Sequence, residues 1–259
     1  MNITILKFDS LTSTNTEAIE QAKRGAEEGV CIVAGYQTAG RGRHGRTWDS
    51  PKNSGLYFSI ILRPKLEMKF LPLITLATSV AVFDLLENLY RLRPDIKWSN
   101  DVLVNERKIS GILAETTETD KGLAVIVGIG INLNSANISA ELAPAATAIY
   151  EETGITPDID ELLRALTKFL TYFYGILEDP DGPKKILEHW KRRSTYFEGK
   201  NVRVTQQGEI FDGTTRGLEE NGALRIETRS GEIKIIQAGD VDASHMTGSW
   251  AGAMGHTQF

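Results

Sequence analysis

The sequence predicts an α+β protein, a mixed sheet flanked by helices and followed by a small C-terminal β-barrel. Three observations carry that expectation. Apolar runs of strand character alternate with segments of helical spacing as far as Lys191. A long run, Gly122 to Asn132, is apolar throughout and ends in Gly128, Gly130 and Asn132, as expected of a central strand whose end approaches a ligand. Beyond Tyr196 the texture changes to short alternating runs separated by glycine-bearing turns.

In chain order, Ile3 to Phe8 alternates as a strand. A helix follows from Thr14 to Lys23, with Ser13 or Thr14 as its cap, Glu17 at capping-box distance from Thr14 and Gly25 as its stop. On local sequence alone, Ser13-Thr14-Asn15 reads as capping. Gly29 to Tyr36 and Gly55 to Leu62 are apolar strands, and Pro64 ends the second. Leu73, Leu76, Val80, Phe83, Leu86 and Leu89 have the spacing of a helix packed on the sheet. Asp95 to Val104 reads as an interrupted strand, turning at Asn105-Glu106 into Arg107 to Thr116. There Lys108, Ser110 and Ile112 alternate with Ile109, Gly111 and Leu113. Helical spacing returns at 159–177 and 183–191. Four or five short strands then lie between Asn201 and Ile236, with turns at Gln207-Gly208, Asn221-Gly222 and Ser230-Gly231. The expected division is 1–196 for the larger domain, 197–242 for the barrel, and 243–259 for a flexible tail or cloning remnant.

Composition narrows the function. The chain has 259 residues, 41% of them hydrophobic, which suffices for a core. Its net charge of −5 argues against general coating of nucleic acid. The single cysteine, Cys31, lies in an apolar strand and reads as a small buried hydrophobe, which fits a reducing cytoplasm. The N-terminus lacks a signal-peptide core, and no uninterrupted apolar run approaches a membrane span.

Against that acidic background, Gly40-Arg41-Gly42-Arg43-His44-Gly45-Arg46-Thr47-Trp48 stands out, with three arginines and three glycines in nine residues. Each guanidinium offers a fixed fork of donors for carboxylate or phosphate, and the glycines permit close backbone approach. An anion-binding loop for a small molecule and an arginine/glycine segment for nucleic acid both fit. The flanking strands favour the former, because they place the loop inside a folded domain. Gly128, Gly130 and Asn132 complete neither a dinucleotide nor a Walker motif.

Together, Ser-Thr-Asn at a helix start, the arginine loop, Lys97-Trp98-Ser99-Asn100-Asp101, Arg107-Lys108-Ile109-Ser110-Gly111-Ile112-Leu113, Gly128-Ile129-Gly130-Ile131-Asn132 and a small barrel resemble the biotin protein ligases over residues 1–242. The resemblance implies a catalytic domain like that of class II aminoacyl-tRNA synthetases and an SH3-like C-terminal barrel. It implies activation of biotin by ATP and Mg²⁺ to biotinyl-5′-AMP, then transfer to a lysine of a biotin carboxyl carrier domain. Two departures stand out: Ser99 occupies a position where the family pattern has proline, which would loosen the turn, and the chain starts at the catalytic domain, so no repressor role is implied.

Carried over by motif, Arg41, Arg43 and Lys108 would be the catalytic cations, offsetting repulsion between a carboxylate and a triphosphate. Ser13, Thr14, Asn15 and Gln37 would form the polar wall around the ureido ring, with Gly40, Gly111 and Leu113 supplying backbone and apolar surface. The resemblance thus outweighs the capping reading. Arg46 and Lys97 would serve the phosphates, Trp48 the nucleotide, Asn132 the adenine, and Asn100 with Asp101 the phosphate and Mg²⁺ side, Asp101 as metal residue. A lipoate or octanoate ligase of the same fold and a nucleic-acid-binding module are the alternatives. The implied partners are biotin, ATP and the carrier domain, with no nucleic acid and no membrane; family members of this form are often homodimers.

Overall fold

The computed structural model describes residues 1–135, 144–206 and 208–244. The larger unit opens with strand β1 (Thr4–Phe8), helix α1 (Thr14–Lys23), β2 (Val30–Ala34) and β3 (Gly55–Leu62). It continues through α2 (Leu73–Tyr90), β4 (Pro94–Lys97), β5 (Asp101–Val104), β6 (Arg107–Thr119) and β7 (Gly122–Asn132), then α3 (Ile149–Thr153), α4 (Ile159–Glu178) and α5 (Gly182–Lys191). Its seven strands lie in the order β1-β2-β3-β7-β6-β5-β4. The sheet is mixed, because β1 and β2 run parallel while the other neighbours are antiparallel.

Strand alternation sends Leu56, Phe58, Ile60 and Leu62 of β3, with Val125, Val127, Ile129 and Ile131 of β7, into the main core with α2, α4 and α5. The opposite face receives α1, whose Ala18 and Ala22 pack on Ile32, Ile61, Ala124 and Ile126. Helix α1 covers only part of that face. The remainder, around Tyr57, Ser59, Gly111, Leu113, Gly128 and Gly130, is not covered by a helix and borders a cleft.

Several details differ from the sequence expectation. The interrupted strand is two strands, β4 and β5, joined through Trp98–Asn100. In β6, Leu103 pairs with Lys108 and Val102 with Ser110, so Ile109 is the extra residue of a bulge. The simple alternation therefore fails. Ile109 joins Ile112 in the core, and Lys108 comes round to the side of Gly111. The short helix α3 was not foreseen. At α1 the Ser13 side chain makes no capping bond, and the Thr14 hydroxyl donates to Gln37 instead of capping. Cys31 is fully buried as expected. The stretch Met68–Tyr90 is long and apolar enough to cross a membrane by length and composition, although Asp84 and Glu87 interrupt it; 67% of its apolar window is buried within the protein.

The C-terminal part contains β8 (Glu198–Gln206), β9 (Glu209–Leu218), β10 (Leu224–Thr228), β11 (Ile233–Ile236) and β12 (Asp240–Ala243). They form an antiparallel sheet in the order β11-β10-β9-β8-β12. This is the antiparallel C-terminal domain that the sequence predicts; among the described residues no pairing joins β11 to β12. Residues 245–259 of the expected tail lie outside the described residues.

Candidate functional site

The site is built on a floor of glycine. In the β6–β7 ladder Gly111 faces Gly130 and Leu113 faces Gly128, so two adjacent pairs leave space above the sheet. Neighbouring side chains occupy that space. A Cβ on Gly128 would lie 2.2 Å from Asn15 Oδ1, and one on Gly130 would lie 2.4 Å from the Trp48 ring. Contacts this short force a neighbour to move, so a side chain at Gly128 or Gly130 would displace Asn15 or Trp48; packing rather than backbone conformation favours glycine at both positions.

On one side stands a buried polar wall from the start of α1, β3 and the segment after β2. Gln37 Oε1 accepts from the Thr14 amide at 2.8 Å and from the Thr14 hydroxyl at 3.2 Å. Gln37 Nε2 donates to Ser50 Oγ at 2.7 Å, and Ser50 donates to the Trp48 carbonyl at 2.9 Å. Ser59 Oγ lies 2.6 Å from Asn15 Oδ1 and 2.8 Å from Thr14 Oγ1. Ser13, Thr14, Asn15 and Gln37 are all at least nine-tenths buried, and the network orients the side chains of Thr14, Asn15 and Gln37. Gly40 sits at its edge, against the Trp48 carbonyl, Ser50 and Gln37.

On the other side a chain of charged and polar groups links the arginine loop to β6. Arg43 Nη1 donates to Ser99 Oγ at 2.9 Å and to Asn100 Oδ1 at 2.6 Å. Asn100 Nδ2 donates to Asp101 Oδ1 at 3.1 Å, and Lys108 Nζ lies 2.7 Å from that same oxygen. Ser99 thus gives Arg43 an acceptor that proline could not provide, rather than merely loosening the turn. Burial pushes the Arg43 guanidinium down from its ordinary value and Arg46 adds to this, while Asp101 and Asp240 oppose it. Lys108 Nζ also lies 5.2 Å from the centre of the Trp48 ring, and Trp48 Nε1 is buried with no hydrogen-bond partner among the described residues.

One cleft brings together Ser13, Thr14, Asn15, Gln37, Arg41, Arg43, Trp48, Asn100, Lys108, Gly111 and Leu113. Its cavity volume is about 60 Å³, because Trp48 and Lys108 lie across it. Small-molecule sites hold roughly 300–1,000 Å³, so entry of a ligand requires the loop and Trp48 to swing outward.

Five of the sequence-derived residues lie outside that lining, Gly40 at the edge of the polar wall being one of them. Arg46 pairs with Asp240 and Lys97 with Asp242, which ties the loop and β4 to β12. Asn132 Nδ2 donates to the carbonyls of Thr147 at 2.9 Å and Lys108 at 3.3 Å, holding the segment before α3 against β6. Asp101 borders the cleft through Lys108. Among the described residues no three His, Cys, Asp or Glu side chains cluster to hold a metal by themselves. Sequence reasoning missed Ser59, Ser50 and Glu115. Ser59 left a signal, as the one polar side chain in the apolar run 56–62.

Comparison with known proteins gives the family. The family model described as biotin/lipoate A/B protein ligase matches residues 7–132, and that of the biotin protein ligase C-terminal domain matches 198–243. A transglycosylase SLT domain model matches 230–259, a span that shares β11 and β12 with the preceding match and otherwise lies largely outside the described residues. The bifunctional ligase/repressor BirA of Bacillus spizizenii is 36% identical over 90% of this chain and 72% of its own length. A biotin–acetyl-CoA-carboxylase ligase of Paracoccus denitrificans is 32% identical over 88% of this chain and 96% of its own. A solved biotin protein ligase of Aquifex aeolicus, in complex with biotin and ATP, superposes with a TM-score of 0.82 at 32% identity, covering 93% of this chain and 99% of that one. With matches of this length on both sheets, the chain belongs to the biotin protein ligase family.

Proposed function

We propose that this chain joins biotin to ATP, forming biotinyl-5′-AMP, and transfers the biotinyl group to a lysine of a biotin carboxyl carrier domain. The observation that carries the reading is a buried amide and hydroxyl wall facing a chain of cations across one glycine floor. A ureido ring needs oriented donors and acceptors, which Ser13, Thr14, Asn15, Gln37 and Ser59 supply. A carboxylate needs activation, because it is a poor acyl donor.

In the first step the biotin carboxylate oxygen attacks the α-phosphorus of ATP and pyrophosphate leaves. Lys108, Arg43 and Arg41 offset the repulsion between the two anions and stabilise charge as it moves. Arg46 and Lys97 exchange their β12 carboxylates for phosphate oxygens, Trp48 lies beside the purine, and Asn132 contacts it. In the second step the neutral amine of the acceptor lysine attacks the acyl carbon and AMP leaves. Asp101 and Asn100 would hold Mg²⁺, which supplies charge neutralisation at the phosphates; a single carboxylate suits an ion that arrives on a nucleotide with its own waters.

The reading assigns ligand binding and chemistry to residues 1–196 and a supporting sheet to 197–242. It places the protein in the cytoplasm, consistent with one buried thiol. A homodimer would form along β6, because beyond Gly111 no strand pairs with it on the β5 side among the described residues. A calorimetric titration with biotin, lipoate and single-stranded DNA tests the reading. Heat with biotin alone is expected. Heat only with lipoate would favour the acyl-chain ligase of the same fold, and salt-sensitive heat only with DNA would favour a nucleic-acid module.

A further inference from the structure

Glu115 follows Leu113 on the site face of β6, one step beyond the cleft lining. Its Oε2 accepts from Asn15 Nδ2 at 2.8 Å and pairs with Arg41 Nη2 at 2.7 Å. One carboxylate oxygen therefore joins the polar wall to the first arginine of the loop. The Arg41 pair by itself would contribute little, since the Arg41 side chain is 40% exposed. Asn15 changes that. Its two amide hydrogens go to Leu113 O and Glu115 Oε2, and its Oδ1 faces Ser59, so the amide has no spare donor and one orientation. Of these partners, only Glu115 also reaches the arginine loop.

We propose that Glu115 is a positioning residue that couples occupancy of the Asn15 wall to closure of the arginine loop. With both donors spent, Asn15 offers a ligand the second lone pair of its Oδ1; a ligand N–H bound there holds the amide in place against the carboxylate, and the carboxylate holds Arg41. The loop then orders in response to the acyl substrate, before the adenylate it must shelter exists. This rests on the reading that biotin seats against Asn15.

The test measures hydrogen exchange of the backbone amides of residues 40–48 with and without biotin, alongside biotin calorimetry and thermal melting. It compares the unaltered chain, Glu115→Ala and Glu115→Gln. In the unaltered chain, biotin should slow loop exchange at least about tenfold. Glu115→Ala should still bind biotin, weakened by no more than about tenfold, without protecting the loop. Glu115→Gln keeps an acceptor for Asn15 and loses the charge facing Arg41, so its affinity should stay within about threefold while loop protection drops. If Glu115→Ala fails to fold, Glu115→Gln decides. Loop protection equal to that of the unaltered chain in a variant that binds biotin overturns the proposal, as does biotin binding to the unaltered chain with no loop protection. Absence of biotin heat in the unaltered chain overturns the functional reading itself, and this proposal with it.

Discussion

Replacing Gly128 with alanine tests the glycine floor directly. The added Cβ would lie 2.2 Å from Asn15 Oδ1 and 2.9 Å from its Cγ. Restoring van der Waals distance moves the amide by about 1 Å, since the residue sits in the middle of the β3-β7-β6 sheet and cannot retreat. That shift breaks the 2.6 Å contact with Ser59 and disturbs the bonds to Leu113 O and Glu115. Overpacking costs about 1–3 kcal/mol and each lost hydrogen bond about 1 kcal/mol, so stability should fall by roughly 2–4 kcal/mol. With the wall displaced, biotin should bind between about tenfold and a hundredfold more weakly. Urea unfolding and calorimetry read the two quantities. The double variant Gly128→Ala, Asn15→Ala should regain stability without regaining affinity, because it removes the clash together with the ligand contact. Gly128→Ala with stability and biotin affinity both within twofold of the unaltered chain, in equilibrium constant, would refute the reasoning.

Three further outcomes follow from the same geometry. Lys108→Ala should slow adenylate formation by roughly a hundredfold to a thousandfold while biotin affinity stays within about tenfold, and pyrophosphate exchange near the unaltered rate would contradict it. Arg43→Gly removes the bonds to Ser99 and Asn100 and adds backbone freedom, so release of biotinyl-5′-AMP in a chase should quicken at least about tenfold, with synthesis reduced by less. Unchanged release with collapsed synthesis would make Arg43 a catalytic charge instead. Burial pushes the Cys31 thiol up from 9.0 to about 12, so the native state keeps a proton that the unfolded chain loses first. Stability present below pH 9 should therefore decline between pH 9 and 12, and Cys31→Ala should flatten that slope in urea midpoints. An identical pH profile would exclude the thiol, leaving buried tyrosines such as Tyr90, also pushed up to about 12, as the source.

What the sequence made legible is what local periodicity encodes. The spacing from Leu73 to Leu89 anticipates α2, alternating runs anticipate β8 to β11, and the glycine-rich end of β7 anticipates close approach to a ligand. What stayed hidden depends on long-range pairing. The bulge at Ile109 arises from the register between β5 and β6, and it decides which face Lys108 occupies. Ser13-Thr14-Asn15 reads locally as a cap, because nothing nearby shows that Gln37 and Ser59 will claim its hydroxyl and amide. The pairing of Arg46 with Asp240 spans 194 positions, and no local pattern announces it. Strand β12 carries two aspartates in four residues, which obscures its strand character until Arg46 and Lys97 are seen to meet them. Glu115 looks like an ordinary solvated carboxylate among threonines, and its role depends on Arg41, 74 positions away.

The central claim, that this site activates biotin, is tested most directly by exchange of labelled pyrophosphate into ATP. With Mg²⁺ present, label should enter ATP only when biotin is added, because the reverse attack of pyrophosphate requires biotinyl-5′-AMP on the enzyme. Lipoate and octanoate should not replace biotin. Exchange with lipoate or octanoate and none with biotin would contradict the account.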